Sequence, residues 1–409
     1  MKNKLIIILN FAVISLFLFP FFKENISSLF LIVTSILTFF NLIINKIKFK
    51  FSKETLLYSL PFFIILFTNL FAVDAEIDWK NISKSLMFLI FPVVFLNING
   101  DVFKELESKY IYYFKYACIV IGIYYIVSFL FNHSFLDFFK EDYNESVFRR
   151  YVYNDVAIFK IHPTYYSLFL NVGIVHSLTK SKEEKKSLNV VFILFFIIMI
   201  LLLSSKMIII ITLFSILYIT LKNNSFKKRY LVGIMVLFLT GISFLPGIKS
   251  RFIEMVNDYK GPPKGLYFNS TNIRKSIFDC SLTILKENYI KGVGFSNIQT
   301  ELNNCYKSNY DSSFFENHNY LTHNYFMYIF IGSGILGFLF FLIYLGNIIR
   351  NCLKFNNPIL NTILFSSIIV FFFEDFLYRH YGLFFFNLFI FSYIKYYEYY
   401  DQQSALNGQ

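Results

Sequence analysis

Residues 317–345 read NHNYLTHNYFMYIFIGSGILGFLFFLIYL. A polar run closes on Thr322-His323-Asn324 and passes at once into an apolar stretch punctuated by Gly332, Gly334 and Gly337. An imidazole therefore stands where water meets hydrocarbon, an address that ionisable groups seldom take without a function. The apolar run itself is of the length that crosses roughly 30 Å of hydrocarbon as a helix.

The rest of the chain agrees with that reading. Of 409 residues 56% are hydrophobic, 56 are Phe, 30 are Tyr and only 16% are charged, too apolar a composition for a water-soluble domain. The apolar residues come in blocks of about 17–25, whereas a membrane β-barrel shows strictly alternating blocks of about 10. The expected fold is all-α, a polytopic transmembrane helical bundle. Its twelve spans are expected near 5–22, 26–45, 55–72, 82–98, 110–131, 161–179, 188–203, 206–221, 230–247, 323–349, 358–376 and 380–396. Two long connections interrupt them, 132–160 and 248–322. The natural division is 1–247 with nine spans, a loop over 248–322, and 323–409 with three spans and a tail.

The net charge of +12 raises the question of a nucleic-acid partner, but the Lys and Arg residues lie in short clusters between apolar blocks and read as topology determinants. Nineteen fall at the termini and in the connections on one side of the twelve spans, against five in the short connections on the other. Both termini are thus expected in the cytoplasm and both long loops outside, with membrane lipids and not nucleic acid as partners. Met1 to Phe22 has no small-x-small site after its apolar run and reads as a retained span.

The 248–322 loop has periodicity of its own. Ser270 is placed to cap a helix over about 271–286, with Arg274, Phe278, Ser281 and Leu285 on one face. Gly292-Val293-Gly294 breaks it, and Ile298, Leu302, Cys305 and Tyr306 then recur at helical spacing. Such short helices lie on a membrane surface or cap a cavity. Cys280 and Cys305 both fall in this loop, where they form a disulfide or remain two buried thiols. Ser204-Ser205-Lys206 reads as a tight outer turn between two spans, with one broken helix as the alternative, because a lysine is costly in mid-bilayer.

The outer face gathers groups a membrane protein does not need in order to fold: His323, Arg274, Arg149 and Arg150, His162, Lys206, Arg379 and His380. Guanidinium groups bind phosphate oxygens in a bidentate manner, and a neutral imidazole at a helix start accepts a proton. Together they suggest transfer of a group from a polyprenyl pyrophosphate to a hydroxyl. Plainer readings stand beside this one: a histidine at a helix start also serves as a cap, an outer arginine as a headgroup anchor, and His162-Pro163 as a helix opening. His318 and His323 do not make an HExxH motif, and no P-loop, GxSxG or dinucleotide fingerprint is present, so neither a metal nor a cofactor is expected. The absence of a DxD cluster favours a lipid-linked donor over a nucleotide sugar.

With those residues in view, the chain resembles the O-antigen ligase and O-antigen polymerase family of bacterial envelopes. The likeness is clearest over 270–345, where the family carries an arginine on a loop helix, a Gly-x-Gly turn, and a His-Asn at the head of a glycine-spaced span. Here these are Arg274, Gly292-Val293-Gly294, His323-Asn324 and Gly332, Gly334 and Gly337. Weaker likenesses are residues 161–165 (IHPTY), Ser204-Ser205-Lys206 and residues 374–382 (EDFLYRHYG), so the resemblance spans roughly 5–396. Lys206 stands where the family usually has arginine, and His318-Asn319 duplicates the His-Asn pair.

The resemblance implies an undecaprenyl-pyrophosphate-linked oligosaccharide as donor and an acceptor on lipid A core, another glycan or protein. It implies no metal, and transfer at the periplasmic face of the bacterial inner membrane. His323 would be the base and Arg274 a catalytic clamp, with Arg149, Arg150, His162, Lys206, Asn324 and Arg379 binding substrate. A polysaccharide flippase is the rival from another class. It would place ionisable groups at span centres, whereas here the polar groups gather at one face.

Overall fold

The computed structural model describes residues 2–71, 77–142, 145–180, 186–222 and 261–407, with single positions between 233 and 249. The protein is all-α. Among the described residues the strand pairing is limited to Glu141–Asp142 with Glu145–Ser146 and two isolated bridges. Glu24–Asn45, Leu106–Asn132 and Tyr325–Lys354 are long and apolar enough to cross a membrane, and Lys4–Phe17, Leu60–Phe71, Ser187–Leu202 and Pro358–Phe371 are shorter apolar helices. The span expected near 230–247 lies outside the described residues.

Several expected spans are divided or shortened. The one near 55–72 is Lys53–Tyr58 followed by Leu60–Phe71. Pro61 has no N–H to continue the ladder, so the helix restarts there. The one near 82–98 is Trp79–Ser85 followed by Met87–Phe95. Ser204 takes a left-handed φ of 50° between Lys186–Leu202 and Lys206–Lys222, so that pair is two helices joined by a turn. The helix expected to reach residue 376 ends at Phe371, which leaves Glu374 and Asp375 in a turn outside it. Likewise His162 precedes its helix, Pro163–Thr179.

Pro163–Thr179 is the central post. Every side chain from Pro163 to Leu178 is buried, and it packs against Ile111–Asn132, both helices that follow it and Pro358–Phe371. Phenylalanines fill the seam: Phe169 meets Phe114 and Phe385, and Phe389 meets both of the latter. Ring pairs of this kind add about 0.5–1.5 kcal/mol each beyond burial. Outward-facing Leu29, Ile36, Phe40 and Ile43 on one long helix, and Leu336, Leu339 and Ile343 on another, form the stripes that face lipid.

The glycines of the opening stretch have a specific purpose. Tyr325–Lys354 is broken at Gly334, whose φ of 65° and ψ of −170° are not helical. Into the break comes the 289–294 loop: Val293 N–H donates to Ile331 O at 2.8 Å, Gly294 N–H to Gly332 O at 3.0 Å, and Ile335 N–H to Tyr289 O at 2.8 Å. Backbone groups orphaned by the break are thereby paired. A Cβ on Gly334 would lie 2.3 Å from Ile290 O, and one on Gly292 would lie 2.6 Å from Gly334 N. Before the break Tyr325, Tyr328, Ile329 and Ile331 are buried in protein, and the exposed apolar side chains begin at Ile335. The lipid-facing part of the span expected at 323–349 therefore starts at Ile335.

The loop contains the helix Ser270–Asn288, capped by Asn269 and not by Ser270, since the Asn269 side chain accepts from Thr271 N–H and Asn272 N–H. Its buried face is Ile273, Ile277, Cys280 and Ile284, with Ser281 of the expected set also buried, while Arg274 and Phe278 of that set are exposed. Both sets repeat at 4-3-4 spacing, and the set without a charge is the one buried throughout. Helix Ile298–Asn309 buries Ile298, Leu302, Cys305 and Tyr306 as expected. A Cys280–Cys305 disulfide joins the two.

Candidate functional site

Three segments meet at one end of the bundle: the 320–324 approach, the 372–380 turn, and the exposed side of Ser270–Asn288. His323 holds a left-handed φ of 46°, a conformation that costs energy unless its surroundings impose it. Asp375 imposes it. One carboxylate oxygen accepts the Thr322 hydroxyl at 2.5 Å and the other accepts the His323 backbone N–H at 3.0 Å. Burial pushes the Asp375 carboxyl above its usual range, against the pull of His323 and of the Thr322 hydrogen bond.

The helix itself begins at Tyr325. Asn324 caps it, its side-chain oxygen accepting Met327 N–H at 3.1 Å. His323 thus stands ahead of the cap, not at the mouth of the helix, and a carboxylate rather than the helix dipole dominates its surroundings. Glu374 Oε2 lies 3.4 Å from His323 Nδ1, and Oε1 lies 3.3 Å from Arg274 Nη2. The histidine contact is a close ion-pair approach, since Nδ1 makes no aligned hydrogen bond among the described residues. Burial works to raise the Glu374 pKa, but His323, Arg274 and His162 outweigh it and hold the carboxyl at about 2. Tyr320 stacks on the imidazole at 5.2 Å, and the histidine side chain remains 23% exposed.

His162 joins this neighbourhood. Its Nδ1 accepts Thr164 N–H at 3.2 Å, Tyr153 packs edge-on at 5.0 Å, and the charges of Glu374, Arg149, Arg379 and His323 act on the half-buried ring. Arg149 is buried and committed, with Nε 2.8 Å from Glu145 Oε1 and Nη1 donating to Leu203 O at 2.7 Å. That bond ties the 203–206 turn, from which Lys206 opens its helix, to the 145–150 segment. Arg150 is exposed and pairs with Asp142. Arg379 is exposed and its side chain shows no hydrogen bond or ion pair among the described residues. His318 is exposed, stacks on Phe314 at 4.9 Å and has Nδ1 3.1 Å from Phe314 O.

Glu374, Asp375 and Tyr320 were not among the site residues expected from sequence. The signal for the acids was faint: two consecutive carboxylates closing an apolar run, at the start of 374–382. The arrangement couples a carboxylate, an imidazole with one nitrogen turned to it, and the Arg274 guanidinium on the other carboxylate oxygen. Such a set orients a base and stabilises a developing negative charge.

Residues 190–342 match a protein-family model described as O-antigen ligase. No curated protein matches the chain. The matched segment contains Lys206, Arg274, both glycines of the helix break and His323, and is narrower than the 5–396 over which the likeness was read. Glu374, Asp375, His162, Arg149 and Arg379 lie outside it. Over that segment the chain carries the O-antigen ligase pattern on a multi-pass membrane scaffold, and the family implies enzymatic glycan transfer of the ligase or polymerase type.

Proposed function

We propose that this protein transfers a glycan from an undecaprenyl-pyrophosphate carrier to an acceptor hydroxyl, with His323 as general base. The observation that carries the reading is Glu374, which bridges His323 Nδ1 and Arg274. A carboxylate 3.4 Å from Nδ1 favours the tautomer with its proton on that side electrostatically and leaves Nε2 as the basic nitrogen. Nε2 removes the acceptor hydroxyl proton while the acceptor oxygen attacks the anomeric carbon. The bond from that carbon to the pyrophosphate breaks on the opposite side, with inversion, and the pyrophosphate leaves on the carrier. Arg274 and Arg379 neutralise the leaving charge, the part a metal ion plays in other phosphate chemistries. Arg149 holds the 203–206 turn through Leu203 O, and Lys206 on that turn is read as a further substrate-binding cation.

The acceptor is lipid A core in an O-antigen ligase, a second lipid-linked repeat in a polymerase, or a protein hydroxyl in an oligosaccharyltransferase. The bias of Lys and Arg towards one set of connections supports a site on the periplasmic face of the bacterial inner membrane, with both termini in the cytoplasm. The division into spans over 1–247, an outer loop over 248–322 and spans over 323–409 belongs to the same reading. His323→Ala is expected to abolish transfer in a reconstituted assay while the protein remains folded in the membrane. Normal product from that variant would refute the base assignment. Arg274→Lys is expected to be strongly impaired, because an ammonium cannot reproduce the guanidinium fork.

A further inference from the structure

The carboxylates around His323 leave one freedom of its side chain unspent. Asp375 accepts the backbone N–H, and Glu374 lies 3.4 Å from Nδ1 without an aligned hydrogen bond among the described residues. Neither contact sets the plane of the imidazole, because the terminal torsion of a histidine is broad and roughly two-fold. Rotation about that torsion carries Nε2 away from the place where an acceptor hydroxyl must meet it. The group that lies flat on the ring is Tyr320. The two ring centres are 5.2 Å apart and the planes are inclined by 29°, an offset stack.

Tyr320 is itself held at its backbone and at its ring. Its carbonyl accepts Gln299 Nε2 at 3.1 Å and the Tyr306 hydroxyl at 3.3 Å, both from helix Ile298–Asn309. Its ring lies 5.0 Å from that of buried Phe314, which meets Phe315 at 5.3 Å, and Phe315 stacks on Tyr306 at 4.3 Å. A circuit of rings and hydrogen bonds thus runs from Tyr306 back to Tyr320. The Tyr320 hydroxyl takes no part in it and makes no hydrogen bond among the described residues. The Cys280–Cys305 bridge fastens the same helix to Ser270–Asn288, which presents Arg274. One bridged pair of loop helices therefore sets both the ring that lies on His323 and the guanidinium that faces Glu374.

We infer that Tyr320 is a positioning residue for the base: its ring fixes the plane of the His323 imidazole and so directs Nε2 at the acceptor hydroxyl. This rests on the reading of His323 as the base and adds to it a device separate from the carboxylates. Tyr320 acts through His323 and touches neither donor nor acceptor. Without the ring, substrates bind as before and the bound complex reacts slowly, because a small misplacement of a reacting group is costly.

The full chain in lipid vesicles is assayed with an undecaprenyl-pyrophosphate-linked oligosaccharide as donor and lipid A core as acceptor, or with the carrier-linked oligosaccharide in both roles. Tyr320→Phe, which keeps the ring, is expected to hold kcat within about threefold of the parent. Tyr320→Leu is expected to lose roughly 10- to 100-fold in kcat, with the KM of donor and acceptor within about twofold. Gln299→Ala removes one hydrogen bond from the Tyr320 carbonyl and is expected to lower kcat by roughly three- to tenfold, again at unchanged KM. That variant carries the test if Tyr320→Leu does not fold. Parent kcat in Tyr320→Leu, or in Gln299→Ala where the leucine variant does not fold, overturns the inference. So does Tyr320→Phe as slow as Tyr320→Leu, or a loss confined to KM, since each places Tyr320 on substrate instead of on His323. With His323→Ala inactive, these results remove the positioning role alone. Transfer by His323→Ala at the parent rate removes the base assignment and the positioning role with it.

Discussion

At the scale of single residues, two histidines five positions apart are told apart by the carboxylates around them. Among the described residues His318 meets Phe314 and Tyr320, whereas His323 has Asp375 on its backbone and Glu374 on its ring. His318→Ala is accordingly expected to transfer glycan near the parent rate, and Glu374→Gln to lose roughly 10²-fold in kcat as the base loses its orientation. Glu374 is held at about 2 in the folded protein against an ordinary value of 4.5. Its pairing therefore contributes stability that is fully present above about 4.5 and is lost as pH falls through about 2. The melting difference between parent and Glu374→Gln is expected to shrink as pH falls from about 4.5 towards about 2. His323 and Arg274 were legible because an apolar run and a loop helix announce them locally. Glu374 and Asp375 were not, because their partnership with His323 is made by tertiary packing across a whole helix pair.

At the scale of elements, the break at Gly334 couples the loop that carries Arg274 to the helix that follows His323. Gly334→Ala puts a Cβ against Ile290 O and takes a left-handed residue away from glycine. A loss on the order of 1–3 kcal/mol or more is expected in unfolding experiments. Transfer should fall with it, because Arg274 loses its register against Glu374. The Cys280–Cys305 bridge closes a separation of 25 residues. Replacing both cysteines by serine is expected to lower stability by about 3 kcal/mol, read as a drop in melting temperature. Hydropathy located these helices but neither the break nor the register of the loop helix. The glycine spacing marked where the backbone is unusual, yet only the approach of the 289–294 loop shows what fills the gap. Residues 273, 277, 280 and 284 repeat with the same spacing as 274, 278, 281 and 285, and periodicity alone does not rank two faces one residue apart.

At the scale of the whole molecule, helix direction sorts the polar groups to two ends. One end holds the His323 cluster. The other holds buried Glu107, which accepts from Asn357 at 2.8 Å and Tyr393 at 3.2 Å and lies 3.3 Å from Lys180 Nζ. On the proposed topology the first end faces outside, so a cysteine at Lys264 is expected to react with a membrane-impermeant maleimide in intact cells and one at Lys104 to stay unlabelled. The reverse pattern would invert the topology. Composition and block length made the all-α membrane scaffold legible from sequence. Proline and glycine interruptions within the blocks, at Pro61 and Gly334, decide where each helix stops. The proximity of 374–379 to 320–324 follows only from the packed bundle.

The central claim is that His323, oriented by Glu374, activates the acceptor hydroxyl. The most direct measurement is single-turnover glycan transfer by purified protein in lipid vesicles, comparing the parent with His323→Ala, Glu374→Gln and His318→Ala. The account predicts no product from the first, product slowed by roughly 10²-fold from the second, and near-parent product from the third. Undiminished transfer by His323→Ala, or loss confined to His318→Ala, would contradict it.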